Sequence, residues 1–150
     1  MTRKILLDLN VLIALLDSGH QNYQKAQAWF VSSGDDHVGL CPLTEAGFLR
    51  VTTSPAYRPA SRTMEQAKAL LQVLKEHPRF AHPLFGFWEI KESLISLSAP
   101  FAARFSGHQQ VTDAYLLGLA IKEQGVLVTF DKGIQYMAGA EFSRNVLLLE

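Results

Sequence analysis

The chain holds 150 residues, 48% hydrophobic and 19% charged, which suits a compact globular domain and excludes a disordered or fibrous chain. Lys and Arg together number 14, as do Asp and Glu, so no global basic field marks a nucleic-acid binder. A single cysteine, Cys41, rules out an internal disulfide framework and suits a reducing, cytoplasmic compartment.

The first stretch, "KILLDL" (4–9), reads as a buried strand, and "NVLIALLDS" as a short helix leaving it. Asp8, Asn10 and Asp17 break any likeness to a secretory signal, and the apolar run 11–16 is too short to span a bilayer. Tyr23, Ala26, Trp29 and Phe30 share a helical face over 21–33. A short strand is expected at 37–42, then a helix at 43–53. Arg50, Arg58, Arg62 and Lys68 are close enough in sequence to form a local basic patch.

"TMEQAKALLQVLKEH" (63–77) is the clearest amphipathic helix, with Thr63 and Gln66 in a capping-box pattern. A strand near 80–82 and a helix near 89–97 follow. Next come a helix over 112–125 with Gly125 as its stop, a strand over 126–130, a helix over 132–139 and a strand over 146–149. No repeat or flexible linker divides the sequence, so 1–150 is expected to be one domain. Strands alternating with helices predict an α/β fold, a three-layer α/β/α sandwich on a mostly parallel sheet.

In such sheets ligands bind beyond the carboxyl ends of the strands. Asp8 lies near the end of the first strand and Asp131 directly follows "VLVTF", with Thr129 and Asp131 on one side if the extended path continues. Glu45 and Asp113 each fall in the first turn of an expected helix, after Thr44 and Thr112. Taken singly, each is explained as an acid favouring a helix dipole near a threonine cap, and Asp131 as a surface loop acid. Asp8 is harder to explain so, because an ionised carboxylate in an apolar strand needs a partner. No Lys or Arg claims it from sequence, and a hard cation, Mg²⁺ or Mn²⁺, would serve.

"LLDLNVLIALLD", "CPLTEAGFLRVTTSP", "GHQQVTDAYLLGLA" and "VTFDKG" together resemble the ordered motifs of the PIN-domain ribonucleases, specifically the VapC-type toxins of toxin–antitoxin modules. The resemblance runs to about residue 134 and is weakest across 55–100. It implies that Asp8, Glu45, Asp113 and Asp131 form an acidic catalytic site, with Asp8 and Asp113 as metal ligands and Asn10 and Thr129 supporting them. It further implies an RNA substrate, an inhibitory antitoxin and a homodimer, with no membrane attachment.

Other signals are weighed beside it. Cys41 and His37, four residues apart on a strand, would lie roughly 13 Å apart, too far to act as nucleophile and base. His77 and His82 lack companions at zinc spacing. Phe85, Phe87 and Trp88 in "PLFGFWEI" suit either base stacking or a core. His108 and Gln109 are candidates for substrate contact or for helix entry. Two rival functions remain: an aspartyl-phosphate phosphatase of haloacid-dehalogenase type, which usually needs D-x-D where this chain has "DLN", and a non-enzymatic binding module on the same fold.

Overall fold

The computed structural model describes residues 2–57 and 61–150. Four short strands form one sheet: β1 (Lys4–Leu7), β2 (His37–Gly39), β3 (Val126–Thr129) and β4 (Val146–Leu148), in the order β2-β1-β3-β4. All pairings are parallel, with Leu6 opposite Gly39, Leu7 opposite Val128 and Thr129 opposite Leu148. Parallel neighbours require long crossovers, and helices supply them.

Ile5, Leu6 and Leu7 are all fully buried, which explains why β1 reads as a continuous apolar run rather than an alternating one. Ile5 and Leu7 join one core with Val38, Leu40 and Val128. That core is covered by α1 (Leu9–Leu16), α2 (Tyr23–Ser32), α3 (Pro42–Thr52) and α4 (Met64–Glu76). Leu6 points the other way, into a second core with Leu127. There α5 (Leu94–Ser98), α6 (Val111–Lys122) and α7 (Lys132–Ala138) meet Trp88 and Phe101. The alternation of one strand thus builds the expected three-layer sandwich. Among the described residues, no helix is long and apolar enough to cross a membrane.

The helix boundaries follow their caps. The Thr63 hydroxyl accepts from the Gln66 amide at 3.1 Å, while the Gln66 side chain accepts from the Thr63 amide at 3.0 Å, completing the expected capping box. At the end of α6 the residue in the left-handed region is Gln124, with φ of 56°, rather than Gly125. Gly125 is required for space: a Cβ there would lie 2.5 Å from the Trp88 ring and 2.8 Å from the Lys4 carbonyl.

The stretch 80–107 departs most from its sequence reading. The expected strand at 80–82 is replaced by a 3-10 turn, Pro78–Phe80, which drives the Phe80 ring into the first core. Residues 82–86 curl, because the His82 ring nitrogen accepts from the Leu84 and Phe85 amides at 3.0 and 3.2 Å. Extended pairing comes later, as a single parallel bridge between Phe87 and Leu40. The helix expected at 89–97 begins only at Leu94, where the Ser93 hydroxyl caps the Ile95 amide at 3.0 Å.

Arg50 and Lys68 are exposed, Arg58 lies outside the described residues, and Arg62 turns toward Asp17, whose carboxyl its charge helps to hold low.

Candidate active site

Strand β1 ends at Leu7, and the chain enters α1 through Asp8, which is extended and caps that helix. The Asp8 carboxylate is only 6% exposed. One oxygen accepts from the Leu9 amide at 2.7 Å and the other from the Thr129 hydroxyl at 2.7 Å. Thr129 closes β3, is fully buried, and also accepts from the Asp131 amide at 3.0 Å. One hydroxyl therefore ties the ends of two adjacent strands together, placing Asp8 and Asp131 at the same sheet edge. Thr129 thus stands directly beside Asp8.

Asp131 is exposed and caps α7, its carboxylate accepting from the Gly133 amide at 2.7 Å. Asp113 sits half-buried in the first turn of α6, and among the described residues it has no hydrogen bond or ion pair. Burial, followed by the charges of Asp8 and Asp131, pushes its pKa up to about 7. The Asp8 pKa is raised as well: burial outweighs the Thr129 and Leu9 hydrogen bonds, and Asp131 adds repulsion. No basic side chain is among the groups that shift either one. Asp8, Asp113 and Asp131 thus stand close enough for their charges to act, with no cation offsetting Asp8 or Asp113.

Glu45 is on the same rim but belongs to a different pairing. Gly47, two residues further along α3, lets Leu9 approach so closely that a Cβ would lie 2.8 Å from it, which seats α3 against the start of α1. The Glu45 carboxylate faces Lys75 of α4, with its Oε2 2.5 Å from the Lys75 Nζ. That contact lacks hydrogen-bond alignment, and the enclosed oxygen has no other donor. Neither Thr44 nor Thr112 caps its helix as expected. Cys41 occupies the cap position of α3, where the Thr44 hydroxyl accepts from its amide at 2.9 Å, and Thr112 lies inside α6.

Asn10 is exposed in the first turn of α1, and its amide bonds to no acid among the described residues. His108 and Gln109 are exposed on the 3-10 turn that feeds α6. The entry role falls instead to Gln110, whose side-chain oxygen accepts from the Ser106 and Gly107 amides at 3.1 Å each. Two contributors have no sequence signature: Gln110, and Lys75, whose link to Glu45 spans thirty positions. Cys41 is buried in the second core, as expected of a residue with no catalytic base.

Among the described residues, no three His, Cys, Asp or Glu side chains converge as a ready metal cage. The donor set nonetheless fits a hard cation, since it offers oxygen ligands with surplus charge. Mg²⁺ commonly takes only one or two carboxylates and keeps its waters.

Comparison with known proteins places the chain in a family. A family model described as PIN domain matches residues 5–140. Ribonuclease VapC44 of Mycobacterium tuberculosis is 36% identical over 135 residues, covering 90% of this chain and 91% of its own length. Ribonuclease VapC38 of the same species is 36% identical over 133 residues, 89% of each chain. FitAcB from Neisseria gonorrhoeae aligns with a TM-score of 0.63 at 20% identity, covering 97% of this chain and 96% of that one. FitAB bound to an IR36 DNA fragment gives 0.64 at 21%, covering 96% and 94%. At those identities the structural likeness speaks for the fold.

Proposed function

The chain belongs to the PIN-domain family and is of VapC type, and on that premise we propose that it is an endoribonuclease, the toxin of a toxin–antitoxin pair, dependent on Mg²⁺ or Mn²⁺. The observation that carries this reading is the uncompensated charge at one sheet edge, where Asp113 is held near neutrality by burial and by two neighbouring carboxylates. A chain that keeps such a group unpaired forgoes stability for a ligand of opposite charge.

Asp8 and Asp113 would hold the cation, with Asp131 facing the same space and Glu45 joining once released from Lys75. A divalent ion bound there supplies an activated water at neutral pH and offsets charge on the phosphoryl group. Thr129 keeps the Asp8 carboxylate oriented and engages one of its oxygens as hydrogen-bond donor. The Leu9 amide holds the other. Asp113, whose pKa is pushed up to about 7 in the metal-free site, would give up its proton as a cation binds. The same acids suit inhibition by an antitoxin arginine, since an incoming guanidinium meets carboxylates without basic partners. A homodimer and an RNA substrate complete the reading. The phosphatase alternative finds a poor fit, because Asn10 offers an exposed amide where a second acid is needed.

The test is cleavage of a mixed RNA pool by nuclease-free preparations, with Mg²⁺ or Mn²⁺ and with EDTA. Cleavage that needs the cation and ceases on chelation is expected. Undiminished cleavage in EDTA rejects the mechanism, and no cleavage under any metal leaves the binding-module reading standing.

A further inference from the structure

Phe87 has no part in the chemistry above, yet its ring is 41% exposed beside the acid-bearing rim. Its backbone is held from both sides: the Leu40 amide donates to the preceding carbonyl at 3.1 Å, and the Trp88 amide donates to the Leu40 carbonyl at 2.8 Å. Trp88 itself is 4% exposed and anchored in the second core. An aromatic ring presented this way loses little conformational freedom when something stacks on it. Leu40 immediately precedes Cys41 and α3, so the ring stands next to the helix that carries Glu45.

Lys75 links the ring to the acids. Its Nζ lies 5.4 Å from the Phe87 ring centroid and 2.5 Å from the Glu45 carboxylate. A stacking surface and a lysine that is a third exposed match a nucleotide in shape and charge.

We propose that Phe87 and Lys75 form a nucleotide subsite beside the acid cluster, in which a base of single-stranded RNA stacks on Phe87 and Lys75 exchanges Glu45 for a backbone phosphate. The proposal rests on the ribonuclease reading and gives it a substrate-positioning element. Exchange frees the Glu45 carboxylate as the substrate arrives, so RNA binding and completion of the acidic site are coupled through one ammonium group. Lys75 acts here as a positioning residue.

The experiment measures binding of a short fluorescein-labelled single-stranded RNA in chelator by anisotropy over a salt series, and KM and kcat for the same RNA with Mg²⁺. Phe87→Ala should weaken binding and raise KM about tenfold, the scale of one lost base stack, while Phe87→Tyr restores both. Lys75→Met should reduce the slope of log affinity against log salt by about 0.7, as expected for one lost phosphate contact on a single strand, and Lys75→Arg should restore it. A wild type that cuts RNA with the same KM and affinity as Phe87→Ala overturns the subsite and leaves the nuclease standing. A wild type that neither binds nor cuts RNA overturns the nuclease reading, and the subsite with it. If Phe87→Tyr is as impaired as Phe87→Ala and both melt early, the ring is structural and the proposal fails. If Phe87→Ala weakens only antitoxin binding, the face is a protein contact and the proposal again fails.

Discussion

Helix α1 is bracketed by two aspartates of nearly equal solvent exposure and opposite electrostatics. Asp8, at its amino end, is 6% exposed, and Asp17, at its carboxyl end, is 7% exposed. Burial pushes the Asp8 carboxyl up, and its two hydrogen bonds do not bring it back. At Asp17 burial is again the largest influence, but the Tyr57 hydroxyl, the Gly19 amide and the charges of Arg62 and His20 together outweigh it and hold the carboxyl low. Tyr57 carries the converse shift, to about 12, through burial and its bond to Asp17. A buried acid surrounded by donors and cations is a structural fastener. A buried acid surrounded by other acids is what the proposed cation site requires.

The strongest way to break that comparison is to neutralise each end of the helix without changing its shape. Asp8→Asn should reduce RNA cleavage at saturating Mg²⁺ about a thousandfold, equivalent to ~4 kcal/mol in the barrier. Asp17→Asn should leave kcat within about twofold once the folded fraction is accounted for. Equal losses in the two variants would erase the distinction between fastener and site.

A smaller effect sharpens it. A ligand that binds only the folded chain stabilises it by about 2.7 kcal/mol at a hundredfold excess over Kd, or roughly 8 °C in Tm for a chain of this size. Mg²⁺ or Mn²⁺ should raise the melting temperature of wild type and of Asp17→Asn alike, and raise that of Asp113→Asn much less. A full metal shift in Asp113→Asn would remove Asp113 from the cation site.

The two aspartates were unequally legible in the sequence. Asp8 stood out because it interrupts an apolar strand, a local conflict that a short window reveals. Strand parity puts Thr129 only on the side of Asp131; its place beside the acids is what the family resemblance implies, and its bond to Asp8 joins residues 121 positions apart. Asp17 was noted only as an interruption of the leader-like start, because its partner Tyr57 lies forty residues away and no periodicity joins them. The Glu45–Lys75 pair was hidden for the same reason: α3 and α4 meet only after folding. Between 80 and 107 the difficulty was local. His82 and Ser93 set the turns through side-chain bonds to nearby amides, which override the apolar pattern that suggested a strand at 80 and a helix from 89. The order of the layers needed little more than alternation; the details at that edge needed tertiary contacts.

The smallest effect is one of sign, and it concerns the metal-free protein. The folded pKa of Asp113 is about 7, above the ordinary unfolded value of about 3.9. Between those values the native state binds more protons than the unfolded chain, so this group's contribution to stability falls as pH rises from about 4 through about 7. Asp17 runs the other way. Its folded pKa is lowered, so its contribution is present above the unfolded value and is lost as pH falls through the folded one. In chelator at pH 8, Asp113→Asn should therefore melt above wild type. With solvent screening of a half-buried group allowed for, the gain is about 1 kcal/mol, or roughly 3 °C, and it closes toward pH 4. Asp17→Asn should melt below wild type at the same pH by about 5 °C, as expected when a buried hydrogen-bonded acid loses its charge, with the gap narrowing in acid. Thermal melts of the three proteins across pH 4 to 8 read both signs at once. An Asp113→Asn variant that melts below wild type at pH 8 would show that Asp113 supports its helix and is no strained ligand, and the contrast between the two ends of α1 would collapse.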